Sequence, residues 1–285
     1  GFVDVRNPYY PTIVTRYRLD PEVVDCMSFC TKNPLPMLPH LDVLDVFPGV
    51  HWMVTLTPYG KDIKPNVPDK RGIVEGIKAL SVKYGPDRVF WRYDPIIVNQ
   101  KYSCSQHLKS FEVMCGLLEG FIHTIIVSFI DLYSNVTKNF PEATSVSQED
   151  KEFLIPALVE IAAKHGMRIR MCHEGDYWER YGADCGGCFL IGDLEKAIGS
   201  KLKAPSSVKG ARKGCQCILS GDVGSYSSCL HLCRYCYANH NEAEIRRNAN
   251  QHDPKSTMLI GHLRPDDKLR PAKQFSWIVK NEPLC

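Results

Sequence analysis

The stretch richest in reactive groups is Cys229-Leu-His-Leu-Cys233-Arg-Tyr-Cys236, a C-x3-C-x2-C spacing. Three thiolates this close can converge on one face of a cubane and leave one iron without a ligand from the loop. That points to a [4Fe-4S] cluster on Cys229, Cys233 and Cys236. The alternative is zinc closed by a further ligand, with His231 as the candidate, although zinc sites usually pair cysteines as C-x2-C. A second set comprises Cys172, Cys185, Cys188, Cys215 and Cys217. Cys185-Gly-Gly-Cys188 is a C-x2-C knuckle whose glycines let the backbone turn around an ion, and Cys215-Gln-Cys217 adds a C-x-C pair. Together they offer four thiolates to a second cluster or to zinc, with Cys172 able to replace one of them. Buried free thiols are the other reading of this set, since cysteine often packs as a small hydrophobe. Cys26, Cys30, Cys104, Cys115 and Cys285 read as core or surface thiols.

Composition narrows the setting. The chain has 285 residues, 13 cysteines and a formal charge of +3. Eight of the cysteines fall between Cys172 and Cys236. A disulfide framework belongs to short secreted chains, so clustered cysteines here point to metal or redox work. The opening residues lack the basic-then-apolar order of a signal peptide. The most apolar stretch, Phe121 to Leu132, is too short to span a bilayer. A cytoplasmic protein that does not enter the membrane is the expectation, and the sequon Asn135-Val136-Thr137 is read as chance. Residues 201–285 hold 14 Lys/Arg against 7 Asp/Glu. This excess of +7 can balance thiolate-bound metal, and it can also attract nucleic acid.

The elements that must position these groups follow one pattern over the first 200 residues. Candidate strands are Phe2–Val5, Val24–Phe29, Val50–Leu56, Arg88–Arg92, Thr124–Ile130 and Arg168–Cys172. Helical stretches lie between several of them, at Asp69 to Tyr84, Ser105 to Phe121 and Gln148 to His165. Strands alternating with helices predict a parallel sheet, and six units predict a (β/α)-barrel of the TIM type. In that fold the polar strand ends would gather at one face. Arg92 and Lys32 would hold an anionic group there, and Asp94, Asp131 and Glu174 would orient polar groups or move protons. The pattern stops near residue 203. The expected division is a barrel-like domain over 1–203 and a cysteine-rich iron–sulfur segment over 204–285 packed on it. Lys203 to Lys213 is a Pro/Ser/Lys/Gly-rich linker.

The three-cysteine loop resembles the motif of radical S-adenosylmethionine enzymes, which also favour an aromatic residue before the third cysteine, the place of Tyr235. The resemblance implies that an open iron binds the cosubstrate, with Tyr235 and Asn239 as cofactor contacts. In those enzymes the motif follows the first barrel strand. Here only 49 residues follow Cys236, so the loop is expected to fold back on the preceding barrel or to form a module of its own.

More widely, the chain resembles the microbial family called domain of unknown function 1848. The residues that carry the likeness are Val5-Arg-Asn-Pro8, Thr31-Lys-Asn-Pro34, Thr55-Leu-Thr57 with Tyr59-Gly60, and Trp91-Arg-Tyr-Asp-Pro95. They continue through Ser128-Phe-Ile-Asp-Leu-Tyr133, Cys215-x-Cys217, Cys229 to Asn239, and His252-Asp253-Pro254. The likeness implies a C-terminal cysteine cluster, and a barrel whose first unit precedes Gly1. Cys30 stands where the family has tryptophan and reads as a smaller packing residue.

Three functions are consistent with these residues. The first is a radical or other redox enzyme with a small-molecule substrate and an electron donor. The second is an electron-transfer iron–sulfur protein. The third, ranked last for want of a continuous basic stripe, is a zinc-bearing nucleic-acid module using Arg246, Arg247 and the aromatics Tyr235 and Tyr237.

Overall fold

A computed structural model describes residues 1–206, 208, 215–218 and 221–283, without the side chains of 281–283. Most of the Lys203–Lys213 linker, and Cys285, lie outside the described residues. The chain opens with β1 (Phe2–Arg6) and β2 (Ile13–Arg18), an antiparallel hairpin. Five strands then follow: β3 (Cys26–Thr31), β4 (Gly49–Thr55), β5 (Val89–Ile96), β6 (Thr124–Phe129) and β7 (Arg168–Met171). They pair in parallel in chain order, β3-β4-β5-β6-β7.

The crossovers form where the sequence supplies caps and an apolar stripe. Helix α1 (Lys70–Tyr84) starts at Asp69, whose side chain accepts from the Arg71 amide at 2.9 Å. It buries Ile73, Val74, Ile77 and Leu80. Helix α2 (Cys104–Leu118) is capped by Ser103, and helix α4 (Gln148–Lys164) by Ser147. The short α3 (Ser134–Asn139) follows β6. Side-chain caps of this kind satisfy amides that the first turn leaves open.

Alternation along the strands sorts the two faces of the sheet. Val50, Trp52, Val54, Trp91 and Tyr93 belong to the larger core, together with residues of α1, α2 and α4. Met53, Phe90 and Ile126 belong to a second, smaller core with Cys172, Phe189, Leu194 and Cys217. This second core lies under α5 (Ile191–Ile198), which packs on β3 and β4. Gly49 permits that approach, because a Cβ there would stand 2.7 Å from the Ile198 side chain. Asp193 anchors the start of α5. It accepts from the Leu190 amide at 2.8 Å and from Arg170 of β7 at 2.6 Å.

These observations correct the expected (β/α)-barrel with an iron–sulfur segment. The parallel sheet has five strands and edges at β3 and β7, and no pairing among the described residues closes it. The face that a barrel would turn into its lumen is covered by α5 and Phe189. Phe2–Val5, expected as the first barrel strand, instead pairs antiparallel with β2. There Asp4 meets Arg16 at 2.7 Å, a cross-strand charge pair that suits a hairpin. The cysteine-rich segment likewise forms no ready cluster: among the described residues, no three His, Cys, Asp or Glu side chains stand together as a metal-holding group.

The remaining elements are β8 (Ser200–Leu202), α6 (Glu242–Asn250), β9 (Lys268–Pro271) and β10 (Ile278–Pro283). β9 adds in parallel to β2, and β10 pairs antiparallel with β8.

Candidate active site at the carboxyl edge of the sheet

Parallel register brings the ends of β3 to β7 to one edge, where open α/β sheets place their ligands. At its centre Arg92 of β5 makes an ion pair with Asp94, with Nε to Oδ2 at 2.8 Å. Ser128 at the end of β6 donates to the other carboxylate oxygen at 3.0 Å. Burial works against ionisation of Asp94. Arg92, and after it Lys32, outweigh that cost and hold its carboxyl below the usual range.

The loop from Cys229 to Asn239 is pinned over this edge. The Asn66 amide and side chain donate to the carbonyls of His231 and Leu230, at 3.2 and 2.8 Å. The Arg234 amide donates to Ile63 O at 3.0 Å, and its guanidinium grips Glu142 at 2.7 Å. Asn135 and Asn139 donate to the carbonyls of Tyr237 and Asn239, at 2.7 and 3.2 Å. Asn239 closes the loop on itself by donating to Cys229 O at 3.0 Å. Leu232 takes a left-handed φ of 54°, a conformation that costs a non-glycine residue energy and persists only where its surroundings enforce it.

This docking buries Cys233 and Tyr235, at 7% and 8% exposure, while Cys229 stays exposed and Cys236 half-buried. Burial pushes the Cys233 thiol up, Lys32 and Lys64 pull it down, and Cys229 and Cys236 are close enough to raise it again. The Lys32 ammonium lies 5.5 Å from the centre of the Tyr235 ring. The Asn239 side-chain oxygen is buried and finds no hydrogen-bond partner among the described residues, and the buried Tyr235 hydroxyl lies within reach of Thr57 and Cys233. Lys64 is 4% exposed, and among the described residues its hydrogen bonds go only to Thr57, at 2.8 Å to the hydroxyl and 3.3 Å to the carbonyl. Burial, then the charges of Lys70 and Lys32, bring its pKa down to about 7.

Lys32, Arg92, Asp94, Cys233 and Tyr235 thus come together. Asp131 and Glu174 do not join them. Glu174 accepts from the Phe129 amide at 2.9 Å and pairs with Lys151 at 3.1 Å, which makes it a clamp between strand end and helix. Asp131 is exposed and accepts from the Tyr133 hydroxyl at 3.1 Å. Lys64 and Thr57 were missed as site residues. Thr57 stands in a strand-end motif, but nothing in the spacing of Lys64 signals burial.

The second cysteine set splits. Cys172, at the end of β7, and Cys188 are within hydrogen-bonding reach of one another, and Cys188 lies 3.1 Å from Cys217, sulfur to sulfur. Cys215 stands next to Cys217. The hydrogen bond from Cys188 draws the Cys217 thiol down to about 5, while Cys172, and after it Cys217, displace Cys188 upward. Arg92 is close enough for Cys30, Cys188 and Cys172 to act on its charge. Cys185 turns away, its thiol 3.9 Å from the Ala183 carbonyl.

Fold and site together define an α/β protein with a five-stranded parallel sheet and a cationic, thiol-lined carboxyl edge. The family described as a domain of unknown function, DUF1848, matches residues 1–238, and the chain belongs to that family. The matched span covers all five parallel strands and the loop through Cys236. No curated protein matches the chain, and no described helix is long and apolar enough to cross a membrane.

Proposed function

We propose that the protein is an iron–sulfur enzyme whose cluster is held by Cys229, Cys233 and Cys236, with S-adenosylmethionine as cosubstrate. The observation that carries this reading is the uncompensated positive charge around Cys233. Lys64 is buried with no carboxylate partner among the described residues, and Lys32 beside it makes no ion pair among them, the Asp94 carboxylate within its electrostatic reach being already held by Arg92. A buried cation is costly unless an anion faces it, and thiolates binding iron and sulfide supply that negative charge. The donor set fits such a group in kind, since three cysteines from one short loop are soft sulfur ligands. The buried Asn239 oxygen, without a partner among the described residues, offers a hydrogen bond to whatever lies against the loop.

A bound cluster of this type supplies one-electron transfer. The chain's own residues do the rest. Lys32 and Lys64 balance negative charge. The Arg92–Asp94 pair presents a fixed donor and acceptor to a polar substrate, oriented by Ser128. The test is to reduce anaerobically reconstituted protein in the presence of S-adenosylmethionine. Formation of 5′-deoxyadenosine supports the enzyme. If none forms and the cosubstrate leaves the electron paramagnetic resonance signal of the reduced cluster unmoved, the role is electron transfer instead.

A further inference from the structure

Away from the Cys229–Cys236 loop, two thiols from either side of the linker meet. Cys188 precedes α5, and Cys217 lies in the segment 215–218. The backbone builds their meeting. The Ile218 amide donates to the Phe189 carbonyl at 2.9 Å, which lays 215–218 beside 188–189. Gly187, at φ +117°, makes the turn that aims the Cys188 amide at the Cys217 sulfur, 3.2 Å away. The two sulfurs stand 3.1 Å apart, and both are free thiols. A shift of about 1 Å brings them to bonding distance. Cys172, at the end of β7, is also within reach of Cys188, but Cys217 is where both the Cys188 amide and the Cys188 sulfur point. Cys185 stands aside, its thiol turned toward Ala183.

Three features separate this pair from packed core thiols. The Cys217 sulfur accepts the Cys188 amide, and the Phe189 amide bears on it as well, which stabilises charge on a thiolate. Arg92 is within electrostatic reach of Cys188 and favours charge there. Access is unequal, since Cys188 is half-buried and Cys217 only 4% exposed. We propose that Cys188 and Cys217 form a redox-active dithiol that exchanges with low-molecular-weight disulfides. The close contact holds one proton between the two sulfurs. With that proton on Cys217, the Cys188 thiolate attacks one sulfur of the incoming disulfide. A mixed disulfide forms on Cys188, and the thiolate that leaves takes the proton from Cys217. The Cys217 thiolate then attacks the Cys188 sulfur, the Cys188–Cys217 bond forms, and the second half of the incoming disulfide leaves as a thiolate. Two protein sulfurs are oxidised, and the disulfide is reduced to one thiol and one thiolate. Excess reduced thiol drives the same steps backward.

This chemistry is independent of the iron–sulfur reading, and the experiment separates the two. Full-length protein is equilibrated without oxygen in mixtures of reduced and oxidised glutathione, quenched in acid, alkylated under denaturing conditions and mapped by peptide mass spectrometry. The proposal expects a Cys188–Cys217 cross-link that rises with the oxidised fraction and disappears when reduced glutathione is returned. Cys217→Ser should stop at a glutathione adduct on Cys188, and Cys188→Ser should leave Cys217 unmodified. Cys233→Ala, which removes a ligand of the proposed cluster, should keep the cross-link. Should a variant fail to fold, the wild-type map alone decides. Cys188 and Cys217 free at every ratio would overturn the proposal. So would a link from Cys188 to Cys172 or Cys185, a link from Cys217 to Cys215, or a cross-link that reduced glutathione does not reopen.

Discussion

At the residue scale, the Arg92–Asp94 pair is the most exacting part of the edge. Both side chains are largely buried, at 17% and 14% exposure, and Ser128 and Lys32 bear on the same carboxylate. Removing one partner of such a pair strands the other charge. Asp94→Asn is therefore expected to cost about 3 kcal/mol, read as a lowered urea midpoint. His51 makes a second prediction. It is fully buried in β4 against Phe90 and Phe189, and neither ring nitrogen has a partner among the described residues. Burial, modified by Asp193 and Arg170, brings its pKa down to about 4. Below pH ~6.5 the unfolded chain takes up a proton that the folded one refuses. The stability from a neutral His51 is thus fully present above that pH. It is lost as pH falls toward 4, by about 3 kcal/mol in all. Unfolding followed from pH 7 to 4.5 should show this slope, and His51→Leu should flatten it. An unchanged slope in the variant would remove His51 as its source.

At the scale of elements, the carboxyl edge depends on α5 filling the second face of the sheet. Gly49 is the tightest point of that packing, since a methyl group there meets the Ile198 side chain at 2.7 Å and the Ala197 backbone at 3.3 Å. Gly49→Ala should destabilise the fold by about 1–3 kcal/mol, the usual cost of overpacking, as measured by chemical denaturation. Cap loss gives a smaller effect on the other face. Ser147→Ala removes the acceptor for the Asp150 amide and should cost about 1 kcal/mol. Much at this scale was legible in advance. Helices α1, α2 and α4 follow from cap residues and an apolar stripe, and five strands follow from β-branched and aromatic runs. Closure was not legible. Phe2–Val5 has the run of a buried strand, and only its partner, Arg16 opposite Asp4, shows it to be half of a hairpin. Nor does the pattern of one strand reveal whether a helix of eight residues will cover the inner face.

For the molecule as a whole, chain order and spatial order diverge at the C-terminus. β9 extends the β1–β2 hairpin and β10 pairs with β8, so the last residues brace elements far upstream. A chain ending at residue 265 should show a lower Tm by calorimetry, because it loses both pairings and the Arg6–Asp267 bond at 2.7 Å. The two thiol groups illustrate what spacing does and does not convey. The C-x3-C-x2-C loop announces itself in one line of sequence. The grouping of Cys172 and Cys188 with Cys217, and the departure of Cys185, depend on the Gly187 turn and on a pairing across the linker. The burial of Lys64 under the loop is likewise a product of assembly. Its neighbours in the chain give no hint of it.

The most direct test of the central claim is the iron and acid-labile sulfide content of protein purified without oxygen, as wild type and as Cys233→Ala. The account predicts a coloured wild-type protein containing both, and a variant that has lost them while keeping its circular dichroism spectrum. Colourless, iron-free wild-type protein, or a Cys233→Ala variant that retains the full iron and sulfide content, would contradict it.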